Sequence, residues 1–372
     1  MPAEIIGNLG VSSAFITGAA QFGDKFFLTT EDHRPVYAQG TYEDSRPKLY
    51  LCGIKPPNTA PTLAHSGSGA TNMPASTVVY VAYAFHSKKR NVSSQLSPAA
   101  TITTASSSVK KVTVSKFMFP RDDASSQDID TVIVAVQFGT LSGKKAILSN
   151  GPAQMYSTWV DVADYNFTGK TFDVDVSAAQ LALGYDMDAA NKYHAVPPAV
   201  KFCARYGERL YFGGQREKFT PTSANIVVTK NSTYRQSAGE ISTRAKCVVS
   251  NFATGATRQQ DDWLWMSLRV NGNYIGEVWD VDSTVDNVGS QTGSIFYLDR
   301  DIEANIAATT DWELLGHNDR VYPSSYLNYT PGKIPTVVPE CVNLIDRQLL
   351  TQVLDEGSSM AGLEASGEYL YV

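Results

Sequence analysis

The stretch GDKFFL, residues 23–28, decides the fold, because variants of it recur at residues 207–212 (GERLYF), 318–323 (NDRVYP) and 367–372 (GEYLYV). Each copy begins with Gly or Asn and an acidic residue, usually followed by a basic one, and then places apolar and aromatic residues in a short run. Gly adopts the left-handed conformation that tight turns require, and alternating apolar residues bury one face of a strand. Each copy, with a short apolar strand before it, therefore predicts a β-hairpin.

The spacing of the copies favours β-propeller-like blades. The last two copies start 49 residues apart, at residues 318 and 367, and the second and third copies are separated by about two such periods. A repeat of roughly 40–50 residues is typical of one propeller blade. Short alternating runs and frequent turn residues elsewhere agree with an all-β chain, and Asn271-Gly272 predicts a two-residue hairpin turn. The best helical candidate is the short segment 344–354.

A long interval between the first two copies predicts an inserted domain. It is bounded by the Pro-rich segment 55–62 and by HAVPP at residues 194–198. The Ser/Thr-rich sequence between them, with SSQLSP between predicted strands, has the pattern of an immunoglobulin-like or fibronectin-III-like β-sandwich. We therefore predict a first blade in residues 1–57, one or two sandwich modules in 58–196, and the remaining blades in 197–372.

Composition excludes several classes of protein. The 372 residues carry a net charge of −6 and no basic stripe, which argues against a duplex-binding protein. Only 18% of residues are charged, and such surfaces suit stable assemblies. The N-terminus does not have the pattern of a signal peptide, and the longest apolar run, 131–138, is too short to span a bilayer. We expect no membrane association.

Motifs for chemistry are weak throughout the sequence. Four cysteines lie far apart, so buried free thiols are favoured over a zinc site. The five histidines form no metal-binding or catalytic motif, and Gly67-Ser68-Gly69-Ala70 does not have the Lys-Ser/Thr of a P-loop. The sequence assigns no catalytic residue, no cofactor and no metal ligand. Two acidic groups that calcium would suit are interpreted as solvated turns: Asp280, Asp282 and Asp286, and Asp186, Asp188 and Asn191.

Two clusters offer candidate contact surfaces. Trp263 and Trp265 are two residues apart on a predicted strand 263–270, and Tyr274 and Trp279 follow. These aromatics are either part of a blade core or a platform for a glycan or a partner subunit. The basic run 87–90 (SKKR) is interpreted as a solvated hairpin tip rather than a nucleic-acid contact.

Several longer segments give the chain a family resemblance. They are QFGDKFFLTTEDHRPVYAQG (21–40), GIKPPNTAPT (53–62), SSQLSP (93–98), PPAVKFCARYGERLYFGGQ (197–215) and ECVNLIDRQLLTQVLDEGSSMAGLEASGEYLYV (340–372). This series resembles virion proteins of tailed bacteriophages in the tail-hub, nozzle and head–tail adaptor or stabilisation group. The resemblance implies propeller-like blades, often with an inserted sandwich, arranged as rings about the tail axis. Relatives usually continue beyond the point corresponding to Val372, so the ring of blades is expected to be incomplete, completed by other chains, or cut short in a fragment.

The resulting hypothesis is a non-enzymatic structural virion protein of the tail or head–tail junction, assembled in the host bacterial cytoplasm. Its expected partners are other copies of itself in a cyclic ring, other phage tail, portal or adaptor proteins, and viral DNA that passes through the channel without sequence-specific binding. The first alternative is a glycan-binding propeller for host-surface adhesion, with depolymerase activity as an option. The second is a stand-alone enzyme on a propeller.

Overall fold

A computed structural model describes residues 16–30, 34–39, 48–67, 71–106, 111–139, 156–185, 187, 193–215, 218–219, 224–233, 243–250, 263–282, 294–317, 320–325, 336–343, 362–366 and 369–371. The chain is all-β, with curled sheets that form propeller-like blades and an inserted β-sandwich, as the sequence predicted. The helical elements with described bounds are a 3-10 turn, Ala163–Tyr165, and α1, Ala178–Ala182. The predicted helix 344–354 lies outside the described residues.

The first blade-like sheet is a four-stranded antiparallel meander, and its strands are β1 (Ile16–Phe22), β2 (Lys25–Thr30), β3 (Val36–Gln39) and β4 (Lys48–Leu51). Phe22 lies opposite Lys25 in the register, so Gly23 and Asp24 form the two-residue turn. Gly23 has a φ of +61°, the left-handed conformation expected of this position. The first copy of the repeated motif is therefore a tight hairpin, as predicted.

The inserted region forms two sheets. Its strands are β5 (Thr62–Ser66), β6 (Val78–Ser87), β7 (Val92–Ser93), β8 (Ala100–Thr103), β9 (Lys111–Ser115), β10 (Thr131–Phe138), β11 (Tyr156–Asp161) and β12 (Thr171–Val174). One sheet has the order β11-β10-β6-β7 with β8 also paired to β6, and the other has the order β12-β9-β5. Alternate residues of β6 and β9, including Tyr83, Phe85 and Val114, share one buried core. The two sheets thus form a sandwich.

The second blade-like sheet has the order β13-β14-β23-β24, with β13 at Val200–Tyr206, β14 at Arg209–Gln215, β23 at Val321–Ser325 and β24 at Val338–Val342. The β13–β14 turn repeats the first hairpin, because Tyr206 pairs with Arg209 and Gly207 has a φ of +60°. The chain leaves this sheet after β14 and returns at β23, which pairs directly with β14.

An eight-stranded path occupies the interval between β14 and β23. Its order is β15-β22-β18-β19-β20-β17-β16-β21. The strands are β15 (Lys218–Phe219), β16 (Asn225–Thr233), β17 (Thr243–Ser250), β18 (Ser267–Val270), β19 (Asn273–Asp282), β20 (Ser294–Leu298), β21 (Ile306–Thr309) and β22 (Trp312–Leu315). The hairpin predicted at Asn271-Gly272 is confirmed, with φ values of 50° and 74° at the two turn residues.

The third copy of the repeated motif is not a hairpin, which corrects the prediction. The strand before it, β22, pairs with β15 and β18, whereas the strand after it, β23, pairs with β14 and β24. An acid–base turn signal specifies a reversal of the chain but not which strands pair. The fourth copy does pair, as β25 (Glu364–Ser366) with β26 (Tyr369–Tyr371); its turn residues lie outside the described ranges.

Candidate functional site

The most elaborate polar arrangement lies where the sandwich meets the two blade-like sheets. Its centre, here called the junction cluster, consists of Lys25 of β2, Tyr37 of β3, Arg90 of the β6–β7 turn and Glu340 of β24. The side chains of Arg90 and Glu340 are fully buried. Three distant segments of the chain therefore converge on one buried ion pair.

The β6–β7 turn positions Arg90 for this role. Ser87 Oγ accepts a hydrogen bond from the Arg90 backbone N–H at 3.2 Å, and Asn91 adopts a φ of 53° to close the turn. Lys88 and Lys89 are exposed, as predicted for a solvated tip, but Arg90 turns inward and is buried. The prediction for Arg90 was therefore wrong, because the tip of this hairpin packs against the blade-like sheets.

Arg90 donates hydrogen bonds to the first sheet, to β24 and to the sandwich itself. Its guanidinium forms an ion pair with Glu340, and Nε donates to the Tyr37 hydroxyl at 2.9 Å. The Nη2 group donates to the Leu51 carbonyl at 2.9 Å, and Nη1 donates to the Gln127 carbonyl at 3.3 Å. A guanidinium offers five N–H donors in a fixed plane, so its orientation is determined by both the sandwich and the first sheet.

Glu340 is the shared acceptor of the junction cluster. Its Oε1 accepts from Lys25 Nζ and from the Tyr37 hydroxyl, each at 3.0 Å. Burial alone would raise the pKa of this carboxyl, but the charges of Arg90 and Lys25 outweigh it and lower the pKa to about 2. Glu340 interrupts the otherwise apolar run Val338-Pro339-Glu340-Cys341-Val342, and that interruption is the sequence signal for a paired buried carboxylate.

Further ion pairs surround the junction cluster. Asp122 of the sandwich pairs with Arg34 at 3.0 Å and with Lys55 at 3.6 Å, and all three side chains are largely buried. Burial would raise the pKa of Asp122, but the two cations lower it to about 2. Closer to solvent, Asp128 accepts from Lys48 at 2.5 Å and from the Tyr50 hydroxyl at 2.6 Å. The sandwich is thus fixed to the first sheet by several charge-assisted contacts.

One residue of the two acidic groups, Asp280, extends this junction to the eight-stranded path. Asp280 lies in β19, is 7% exposed, and pairs with Arg121 of the sandwich at 3.1 Å. The interpretation of Asp280 as part of a solvated turn was therefore wrong. Asp286, Asp186, Asp188 and Asn191 lie outside the described residues. Within the described ranges, no three His, Cys, Asp or Glu side chains come together in a way that would hold a metal ion.

The four aromatic candidates are divided between core and surface. Trp263 and Trp265 precede β18 in a turn, so the predicted strand 263–270 begins only at Ser267. Both indoles are buried, and Trp265 packs against Trp279 at 5.8 Å and against Tyr322 at 6.0 Å between ring centroids. The blade-core alternative therefore describes these two residues, and they do not form an exposed platform.

The remaining two aromatics differ in exposure. Tyr274 is 46% exposed, and the Arg300 guanidinium lies 5.2 Å from its ring centroid. Trp279 is partly buried against the core, and the Arg244 guanidinium lies 4.6 Å from its ring centroid. A narrow cleft with a cavity volume of about 30 Å³ is lined by Lys55, Gln95, Arg121, Trp265, Trp279 and Asp280.

A buried histidine lies beside the junction cluster. Nδ1 of His194 donates to the Ser93 carbonyl at 2.7 Å, while Nε2 has no hydrogen-bond partner among the described residues. Burial lowers the pKa of this imidazole, against smaller opposing effects of the Ser93 carbonyl and the Glu340 charge. His194 is therefore neutral in the folded chain at neutral pH.

The four cysteines are free and buried, as the sequence predicted. Burial raises the pKa of all four thiols, to about 12 for Cys203, and the charge of Glu340 adds to this effect at Cys52 and Cys341. Because the thiolate is the reactive form, these groups are poor nucleophiles in the folded chain. The junction instead supports a structural role, in which matched charges fix the sandwich to the blade-like sheets.

Comparison of the chain with protein-family models, with curated proteins and with solved structures gives no match in any of the three. Among the residues that the structure describes, none form a helix long and apolar enough to cross a membrane.

Proposed function

We propose that this chain is a structural virion protein of a tailed bacteriophage that forms part of the tail or the head–tail junction ring around the DNA channel. The observation that supports this role is the buried ionic junction, which holds an inserted sandwich in a fixed orientation on blade-like sheets. A component of a ring that transmits force requires domains that keep their relative positions. The family resemblance of the sequence supports the same role.

The proposed partners are the molecules that a ring around the DNA channel would contact. Several copies would associate by head-to-tail contacts that close into a cycle, with portal, adaptor or other tail proteins above and below. Viral DNA would pass through the channel without sequence-specific contacts, because a strongly basic lumen would retain the duplex through its phosphates. The net charge of −6 agrees with this arrangement. Assembly would take place in the cytoplasm of the host bacterium.

The oligomeric state of the purified full chain tests the proposal. We expect native mass spectrometry to detect a single closed oligomer, and electron microscopy to show a ring with cyclic symmetry and a central channel. A chain that remains monomeric at all concentrations up to those used for microscopy, with and without lysate from infected cells, would contradict the proposal.

Adhesion to host glycans is the alternative, and the cleft beside Trp279 is the feature that favours it. Aromatic and charged side chains meet there, although the cavity itself has room for only about one water molecule, so a sugar would have to bind over its opening. However, Trp263 and Trp265 are buried, so the predicted platform does not form. Binding on a glycan array that is lost in Trp279→Ala, and retained in Tyr274→Ala, would favour adhesion over the structural role.

A further inference from the structure

We propose that the junction cluster is an acid-opened latch, which releases the folded sandwich from the blade-like sheets when the pH falls. The inference rests on the geometry of the junction and does not depend on the proposed virion role. It concerns the equilibrium between a docked and an undocked sandwich within one chain.

The first argument is the convergence of charges on Glu340. Lys25 from β2, Tyr37 from β3 and Arg90 from the β6–β7 turn contact its carboxylate. The other titratable groups within electrostatic reach of Glu340 are Tyr50, Cys52, Cys341 and His194, and Arg34 lies within reach of the two thiols. A protonated Glu340 would leave Arg90 buried without its counter-charge, and a buried unpaired charge is strongly unfavourable.

The second argument is that the other contacts across the junction also depend on carboxylates. Asp122 faces Arg34 and Lys55, Asp128 faces Lys48, Lys89 and Tyr50, and Asp280 faces Arg121. Each carboxylate lies on one side of the junction and at least one of its cations on the other. Protonation at low pH therefore weakens the same interface at several points.

The third argument is selectivity. The sandwich core is formed mainly by apolar side chains of its own strands, such as Val81, Phe85, Val114 and Val134, and it also includes Ile54 and two residues of β24, Val338 and Cys341. Burial of apolar area does not depend on protonation. The acid that weakens the ionic junction therefore leaves intact the packing among the sandwich's own strands, so undocking, which exposes only Ile54, Val338 and Cys341 of this cluster, precedes unfolding.

His194 extends the response toward neutral pH. Its imidazole is fully buried, its Nδ1 is used by the Ser93 carbonyl of the sandwich, and its Nε2 has no partner among the described residues. Protonation would place a donor and a charge at this unpartnered atom. The next residue, Ala195, pairs with Val342 of β24, so undocking would separate this segment from the blade-like sheet and let water and a proton reach the ring.

The sign of the pH dependence follows from the direction of each shift. His194, Glu340, Asp122 and Asp128 all have a lowered pKa in the folded chain. Their stabilising contributions are thus present above the ordinary pKa and are lost as the pH falls toward the lowered one. The loss begins below about 6.5, the ordinary value for histidine, and steepens below about 4.5, where carboxylates begin to protonate.

Amide hydrogen exchange of the full chain between pH 7.5 and 3.5, corrected for intrinsic rates, tests the latch. The Leu51 amide is the reporter for docking, because it donates to Gln127 Oε1 across the junction at 2.8 Å. The β10 amides, Thr131–Phe138, report on the sandwich interior. We expect protection at Leu51 to fall by up to about tenfold per pH unit for each linked proton, while protection in β10 is retained.

Two variants complete the design. Glu340→Gln should expose the Leu51 amide at pH 7.5 and reduce the further loss of protection below pH 4.5 to the part that Asp122, Asp128 and Asp280 contribute. Asp161→Asn is the matched control, because it removes a carboxylate from the exposed pair with Lys88 on the same side of the sandwich, and it should keep the wild-type profile. Simultaneous loss of protection at Leu51 and in β10, unchanged protection at Leu51 down to pH 3.5, or a Glu340→Gln profile identical to wild type would each overturn the proposal.

Discussion

At the scale of single residues, Arg90 is the most consequential side chain outside the apolar cores. Its side chain is fully buried, and it donates to groups from the first sheet, the sandwich and β24. Taking such a charge out of water is costly, so the Coulomb attraction of Glu340 and the hydrogen bonds largely offset desolvation rather than add net stability. The pair therefore specifies how the domains fit together more than it stabilises them.

This reasoning predicts an asymmetry between single and double substitutions at the pair. Arg90→Met should lower the free energy of unfolding by about 3–5 kcal/mol, because Glu340 remains buried without its main counter-charge. The double variant Arg90→Met, Glu340→Met should recover much of this loss, since the one charge of the cluster that then lacks its partner is Lys25, which is 14% exposed and within reach of water. Urea denaturation followed by circular dichroism measures both. A double variant less stable than either single one would show that the pair stabilises the fold outright.

The stability of a Trp265 variant distinguishes a blade-core residue from part of an exposed aromatic platform. Its indole is 6% exposed and packs on Trp279 and Tyr322. Trp265→Ala should therefore cost about 3–5 kcal/mol, as expected for loss of a buried aromatic side chain. Tyr274→Ala is the control and should cost at most about 1 kcal/mol, the scale of an exposed cation–π contact. Equal, small effects in thermal denaturation would mean that Trp265 is not a core residue.

At the scale of elements, the Ser-x-x-Ser spacing of residues 94–97 has a structural cause. The chain after β7 runs beside β6, where Ser94 Oγ accepts from the Phe85 N–H and Ser97 Oγ from the Tyr83 N–H, each at 3.0 Å. The same serines use their own backbone N–H groups to donate to the Phe85 and Tyr83 carbonyls. Two hydroxyls thus take the place of strand carbonyls along a buried edge.

Removing these hydroxyls should weaken the sandwich in particular. Ser94→Ala and Ser97→Ala each leave a buried backbone donor without its partner, and each should cost about 1–3 kcal/mol. Ser115→Ala is the control, because its hydroxyl is at the surface, 3.4 Å from the Thr62 carbonyl. Exchange of the β6 amides gives the most direct measurement. Unchanged protection at Tyr83 and Phe85 would indicate that water replaces the hydroxyls.

Hairpins that depend on a local turn were predictable, and pairing between distant strands was not. Gly23, Gly207 and Asn271-Gly272 specify their turns through positive φ values that few other residues tolerate. The third motif carries the same signal, yet the strands before and after it join different sheets. Which strands pair depends on the packing of remote segments, and short-range pattern does not report that packing.

At the scale of the whole molecule, the same distinction applies to the candidate site. The all-β class and the presence of an inserted sandwich follow from turn residues and apolar alternation. The junction cluster joins residues 25, 37, 90 and 340, and no spacing in the sequence relates these positions. The available clues were single residues that break a pattern, namely an arginine ending a basic run and a glutamate within an apolar strand. Only their three-dimensional convergence reveals the pairing.

The reactivity of the four buried thiols is an independent measure of which parts of the molecule open first. Cys52, Cys203 and Cys247 share the core of the blade-like part, and Cys341 lies in the core that β24 shares with the sandwich. Of the four, Cys52 and Cys341 are the two that lie within electrostatic reach of Glu340 at the junction. Because burial raises the pKa of every one of these thiols, all four should resist N-ethylmaleimide in the native chain at neutral pH. Modification is read out residue by residue by peptide mass spectrometry.

Weakening the junction should change the order in which the thiols react. In Glu340→Gln, undocking of the sandwich admits water to the junction, so Cys52 and Cys341 should be alkylated well before Cys203 and Cys247. Global unfolding would instead release all four together, since they would share one transition. Asp161→Asn should leave every thiol protected, because the ion pair that it removes is exposed. Simultaneous labelling of all four thiols in Glu340→Gln would mean that sandwich and blades open as a single cooperative unit, and that the junction is part of the core rather than a separable joint.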